Sequence, residues 1–238
     1  MKKYSPYALP EYLVRSYWWA YLSPLGAKFF DQDFIVNRIL WGNYQVIAKE
    51  TIDIIASKPE QKVAGISCAY GHFFPDLVNS PQIAQLYLFD IAPIQINLMR
   101  KKIKPEKIND KCQFFLSDAQ NIALISKSVD TSVLFFLLHE LPSEVRTRVL
   151  KQAIRITKNK GRLIIVDYAP YKQQHVFHKN RLFRNIFQKM EPYLANFWRC
   201  DLLAEINEQA ELQQRTIKLT DEKKYYNDFY RLLEFNVE

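Results

Sequence analysis

The stretch Val133-Leu134-Phe135-Phe136-Leu137-Leu138-His139-Glu140 is an apolar run that ends abruptly in a polar pair. A buried parallel strand reads this way, because both its faces are covered and only its carboxyl tip opens onto a site. Taken from Thr131 to Leu138, it is one of five such runs. The others are Val63 to Cys68, Gln85 to Asp90, Cys112 to Leu116 and Arg162 to Tyr168. Helical stretches lie between them. After Asn43-Tyr44-Gln45, the residues Val46, Ile47, Ile52, Ile54 and Ile55 give a mostly helical pattern that stops near Pro59. Val145, Val149, Ala153 and Ile156 recur on one helical face, with Ser143 as the expected N-cap, Glu144 in the first turn and Lys158-Asn159-Lys160-Gly161 as the close. Strand and helix in alternation predict an α/β fold, a parallel sheet with crossover helices on both faces. The tail, with Thr216-Ile217-Lys218-Leu219 and then Phe229 to Val237, predicts an antiparallel hairpin at the sheet edge.

A chain of 238 residues, 48% apolar, suits one such domain with a covering segment. Cys68, Cys112 and Cys200 are odd in number and share no short spacing, so neither a disulfide framework nor a zinc knuckle is expected, and a reducing, cytoplasmic compartment fits. Met1-Lys2-Lys3 opens no cleavable signal, since Pro6, Pro10, Glu11 and Arg15 break any apolar core behind it. Nor does any uncharged apolar run approach the roughly 18 residues needed to span a bilayer. A net charge of +8 suits nucleic acid, an anionic membrane surface or ordinary solvated side chains. Two regions favour the membrane. Tyr4, Tyr7, Tyr12, Tyr17, Trp18, Trp19, Tyr21, Phe29, Phe30, Phe34, Trp41 and Tyr44 crowd the amino terminus, and Lys172, Lys179, Arg181, Arg184 and Lys189 interleave with Phe177, Phe183 and Phe187. Rings with polar tips favour the headgroup zone and bases favour anionic lipid. Helices packed over the core would give the same composition.

In a parallel sheet, ligands bind beyond the carboxyl ends of the strands. Those ends are Ser67-Cys68-Ala69-Tyr70-Gly71-His72, Asp90, Ser117-Asp118-Ala119, His139-Glu140 and Asp167-Tyr168, all polar. Three of them match the needs of an adenosyl cofactor. Gly71 permits close backbone approach, Asp90 offers two oxygens to a ribose diol, and Asp118 can accept from an adenine amino group. Because the Gly-x-Gly-x-x-Gly of nicotinamide enzymes is missing, this order favours S-adenosylmethionine. Each carboxylate alone would be an ordinary strand-end residue.

These residues resemble the class I S-adenosylmethionine methyltransferase superfamily over about 44–170. Within it, Arg15 to Pro24, Ile39 to Asn43, Tyr70-Gly71, Asp90 to Gln95, Phe135 to Glu140 and Val166 to Tyr168 resemble the rhodoquinone-biosynthesis (RquA-type) branch. The resemblance implies a Rossmann-like sheet under an aromatic helical lid, with residues 1–43 as lid and 44–238 as the cofactor-binding domain carrying a helical insertion at about 171–211. Cys68, Tyr70, Gly71, Asp90, Ile91, Asp118, Ala119 and Phe136 are the cofactor contacts it implies. Its reaction replaces a ring methoxy group of ubiquinone by an amino group, with S-adenosylmethionine as nitrogen donor and Mn2+ assisting. The partner is then a ubiquinone-like lipid, with no nucleic acid, and the place is the cytoplasmic face of the inner membrane, peripherally. Several positions depart from the pattern. Gly65 stands where the superfamily has an acidic residue, Ser67 and Ala69 where it has glycines, and His72 where the branch would have Asp or Asn.

Tyr70, His139 and Asp167 are the candidate catalytic residues. Tyr70 would orient the amino-acid end of the cofactor, or simply pack. His139 would shuttle a proton, bind metal or cap the next helix. Asp167 would complete an oxygen-rich manganese site, polarise Tyr168 or lie solvated. His175 and His178, three apart, are a weak metal pair, and sequence assigns no metal ligands. Three readings compete: quinone amination, conventional methyl transfer to a quinone, lipid or other small aromatic molecule, and non-enzymatic binding.

Overall fold

Five apolar runs become five parallel strands in the computed structural model, which describes residues 9–172, 175–180 and 189–238. They are β1 (Gln61–Ile66), β2 (Ile83–Asp90), β3 (Cys112–Leu116), β4 (Val129–Phe135) and β5 (Thr157–Tyr168). The tail adds β6 (Ile217–Tyr225) and β7 (Tyr230–Val237), and the sheet runs β3-β2-β1-β4-β5-β7-β6. β7 is antiparallel to β5, and β6 closes the edge antiparallel to β7. Register places Gly65 beside Leu88 and Val133, and Asp90 beside Leu116, so the tips of β1 to β4 share one rim. Val63, Ile66, Leu86, Leu88, Val133, Leu134, Leu163 and Ile164 are fully buried. Each contributes roughly 1.5–3 kcal/mol, enough together to fix which way the tips point.

Helices cover both faces because their apolar residues recur at helical spacing. α4 (Tyr44–Ile55) buries Tyr44, Ile47, Ala48, Thr51 and Ile55, while α5 (Phe73–Asn79) and α6 (Pro93–Lys102) follow β1 and β2. α7 (Ser143–Ile156) buries Val145, Val149, Ala153 and Ile156 as expected, and also Arg146. The Arg146 guanidinium makes a two-pronged bond to Glu205 at 2.7 and 2.8 Å, which fastens the helix Leu202–Glu211 to α7. Ahead of α4 lie α1 (Glu11–Ser16), a π-helical turn (Trp18–Leu22), α2 (Pro24–Phe30) and α3 (Asp33–Ile39). None of the helices among the described residues is long and apolar enough to cross a membrane.

Three local expectations are corrected. Pro142 takes the N-cap position of α7 and offers no side-chain cap, so Ser143 begins the helix and its hydroxyl donates to Glu144. Lys158 to Gly161 is not a closing loop, because β5 starts at Thr157 directly after α7. β4 ends at Phe135, not Leu138. Phe136 takes φ +54°, which turns the chain out of the sheet, and Leu138–Glu140 forms a single 3-10 turn. Leu137 and Leu138 remain buried there, so the hydrophobic run outlasted the strand.

Candidate active site

Beyond the strand tips a cavity opens, walled by the rim on one side and by the amino-terminal helices on the other. Of the expected cofactor contacts, Cys68, Tyr70, Asp90, Ile91, Asp118, Ala119 and Phe136 line it. Gly71 does not. Its φ of +80° explains the glycine, and a Cβ there would come within 2.4 Å of the Tyr44 hydroxyl. That hydroxyl donates to the Tyr70 carbonyl at 3.3 Å and accepts from the Phe73 amide at 2.9 Å, so the close approach is to Tyr44 rather than to a ligand. Ser67, at the tip of β1, also holds a positive φ of 79°, a strain of about 1–3 kcal/mol beside the cavity it lines. At Gly65 a Cβ would come within 2.4–2.6 Å of the Phe74 and Leu88 side chains, which would have to shift to admit the superfamily's acidic residue.

On the nucleoside side, the Asp90 carboxylate accepts from the amides of Cys68 and Ala92, each at 2.8 Å. Burial raises its pKa from 3.8 to about 6, against those amide bonds, so it is ionised at neutral pH. Both oxygens keep lone-pair capacity for a diol. Asp118 accepts from the backbone and side-chain amides of Gln120 at 2.8 to 3.2 Å. Tyr70 is committed to the amino-terminal segment. Its hydroxyl donates to the Ala20 carbonyl at 2.7 Å and accepts from Gln95 at 3.1 Å, and its ring stacks on Tyr21 at 5.1 Å. His72 pairs with Asp33 at 2.7 Å, and the Lys102 ammonium bridges Asp31 and the Gly71 carbonyl at 2.5 and 2.6 Å.

The other end of the cavity is a buried polar cluster. Asp167, 1% exposed, accepts from the amides of Leu138, His139 and Tyr168 and from Nδ1 of His139 at 2.8 Å. With its oxygens so used it is neither a solvated strand end nor one of the clustered metal donors, and it orients His139. Nε2 of His139 is thereby turned toward Glu140, 3.9 Å away. Burial disfavours the imidazolium, but the charge and hydrogen bond of Asp167 outweigh it and hold the pKa up at about 9. Burial, and then repulsion from Glu191, raises the pKa of Glu140, and burial raises that of Glu191. Tyr21 donates to Glu140, and Tyr17 donates to Glu191 at 2.9 Å. His139, Glu140 and Glu191 each present one donor atom within 4.8 Å of the others, one imidazole and two carboxylates, which suits a cation such as Mn2+.

Sequence reasoning missed Glu191, a lone acid in a basic stretch with no motif around it, and it read Tyr17 and Tyr21 as rings rather than as donors. Of the expected His175–His178 pair only the His175 side chain is described: it caps a short helix, accepting from the Phe177 amide at 3.3 Å and donating to the Tyr226 carbonyl at 3.2 Å. The side chain of His178, together with Tyr4, Tyr7, Arg181, Phe183, Arg184 and Phe187, lies outside the described residues.

Comparison with known proteins bears on the fold. Residues 63–161 match a family model described as a methyltransferase domain. Demethylmenaquinone methyltransferase of Thermotoga maritima is 24% identical over 137 residues, which make up 57% of this chain and 56% of the relative, little more than half its length. Magnesium protoporphyrin IX methyltransferase from Synechocystis PCC 6803, solved with bound SAM, superimposes with a TM-score of 0.63 at 15% identity, covering 97% of this chain and 99% of that one. The cyclase SpnF gives 0.58 at 12% identity, over 79% of this chain and 80% of that one. At such identities the likeness is one of fold, and the fold is that of the class I methyltransferases.

Proposed function

We propose that the protein is an S-adenosylmethionine-dependent enzyme that modifies the ring of a quinone, replacing a methoxy group, lost as methanol, by an amino group with nitrogen from the cofactor, whose amino-acid end leaves as the α-keto acid with water as co-reactant while the quinone takes the two electrons and becomes the hydroquinone. The observation that carries the adenosyl part is the opening of Asp90 and Asp118, from successive strand tips, onto one cavity. Asp90 would hold the ribose hydroxyls and Asp118 the adenine amino group. The quinone part is supported by the aromatic walls of the cavity, among them Tyr12, Trp19, Phe30 and Phe136, and by the quinone-methylating relative.

The amination reading is favoured over methyl transfer by two features. Gly65 leaves the amino-acid end of the cofactor without an acidic partner, so that end is open to serve as reagent. A polar cluster of the composition that manganese takes sits in the same cavity, which ordinary methyl transfer to an activated ring position does not need. His139, Glu140 and Glu191 would hold the metal, which as a Lewis acid would polarise a ring carbonyl. His139, locked by Asp167, keeps one nitrogen facing the cluster, and the stacked rings of Tyr21 and Tyr70 exclude water from it.

The test incubates the protein with ubiquinone, Mn2+ and S-adenosylmethionine carrying 15N in its amino group. A product holding the heavy nitrogen supports amination. Gain of a methyl group instead establishes the conventional methyltransferase, and no adenosyl binding at all removes both readings.

A further inference from the structure

Among the described residues, fourteen large apolar side chains are exposed, and eight of them fall between Val14 and Val46. A water-facing helix does not normally carry such a load. Leu25 is 83% exposed and Phe29 53%, one turn apart on α2, while Phe34 on α3 is 68% exposed and Trp18 on the π-helical turn 56%. Charge on the same segment is sorted. Of its two acids between Val14 and Val46, Asp31 is nearly buried against Lys102 and Asp33 is half-exposed but paired with His72, while exposed Glu11 is paired with Arg15 at 2.5 Å. Exposed Lys28 and Arg38 form no ion pair among the described residues. What faces outward without an ion-pair partner among the described residues is therefore apolar and cationic, the combination that partitions into the headgroup zone of an anionic bilayer.

We propose that α2 and α3 dock the protein on an anionic lipid surface, with Leu25, Phe29 and Phe34 inserted and Lys28 and Arg38 against the headgroups. Resting on the reading of a lipophilic quinone substrate, the docking gives that substrate its route. The inward side of the same helices is cavity wall, through Phe30 and Val36, joined by Trp19 of the π-helical turn and by Leu40 just past α3, and Ile39 is both wall and exposed. A tail-bearing ring would pass from bilayer to cavity beside Ile39 without crossing water.

Co-sedimentation with vesicles tests this, using neutral phosphatidylcholine and a 3:1 mixture with phosphatidylglycerol. At low salt the full chain is expected to bind the mixed vesicles at least about tenfold more tightly than the neutral ones, and to lose that preference in 0.5 M NaCl, where the screening length falls to about 4 Å. The triple variant Leu25→Ser, Phe29→Ser, Phe34→Ser is expected to lose at least about tenfold in binding, and Lys28→Glu with Arg38→Glu to lose the anionic preference. Both should keep the wild-type melting midpoint and affinity for S-adenosylmethionine, which separates docking from folding and from the site. Failure of the full chain to bind mixed vesicles at low salt overturns the proposal. So does a triple variant that is folded and still binds, or a wild-type dimer that the triple variant abolishes while neither protein binds vesicles. Vesicle binding by a protein with no affinity for S-adenosylmethionine leaves the docking standing and removes the functional reading instead.

Discussion

The two ends of the cavity are built by different means. At the nucleoside end, Asp90 and Asp118 project from neighbouring strand tips and take their hydrogen bonds from residues two positions away or across one strand. At the polar end, one cluster draws on four parts of the chain: Tyr17 and Tyr21, then His139 and Glu140, then Asp167, and finally Glu191. A local arrangement tolerates loss of one member. The assembled one is a buried network, where each member satisfies another and removal leaves charge or donors stranded.

The sharpest break between the ends would come from Asp167→Ala. Three amides and the His139 ring would lose their acceptor in a fully buried place, and the fold is expected to lose about 3 kcal/mol or more, read as a fall in the melting midpoint. At the local end, Asp90→Ala is expected to weaken S-adenosylmethionine by about 100-fold in calorimetry, while His139→Ala changes it little. Equal losses in both variants would merge the two ends into one site. Next comes Glu191→Gln, expected to lower Mn2+ affinity by about tenfold, seen in the paramagnetic signal of free Mn2+, with cofactor affinity unchanged. The smallest effect is that of pH on cofactor binding. Asp90 can accept from a diol on both oxygens only when ionised, and its pKa is raised to about 6, so affinity should be level above pH 6 and fall, by no more than about tenfold per unit, below it.

The same contrast decides what was legible in the chain. Each of the parallel strands announced itself through an unbroken apolar run, and their polar ends fell where a ligand would sit, so Asp90 and Asp118 could be placed by order alone. The boundary error at Phe136 has a simple origin: burial of Leu137 and Leu138 under the chain looks identical in sequence to burial in the sheet. Gly71 was read as permitting close backbone approach, but to the wrong neighbour, since nothing in the sequence says that Tyr44, 27 positions earlier, lies against it. Tyr17, Tyr21 and Glu191 matter through partners more than a hundred residues away, and no local periodicity encodes such a meeting.

β6 illustrates how the sheet stops where it does. Among the described residues no strand pairs with its outer edge, where Lys218, Asp221, Glu222 and Lys224 stand exposed and Lys223 is half-buried. A foreign strand seeking those free amides and carbonyls would have to desolvate ions of both signs before gaining its first bond. Ladder growth from molecule to molecule is thus discouraged at this rim of the sheet, and the crowded bases and acids there guard against fibrils.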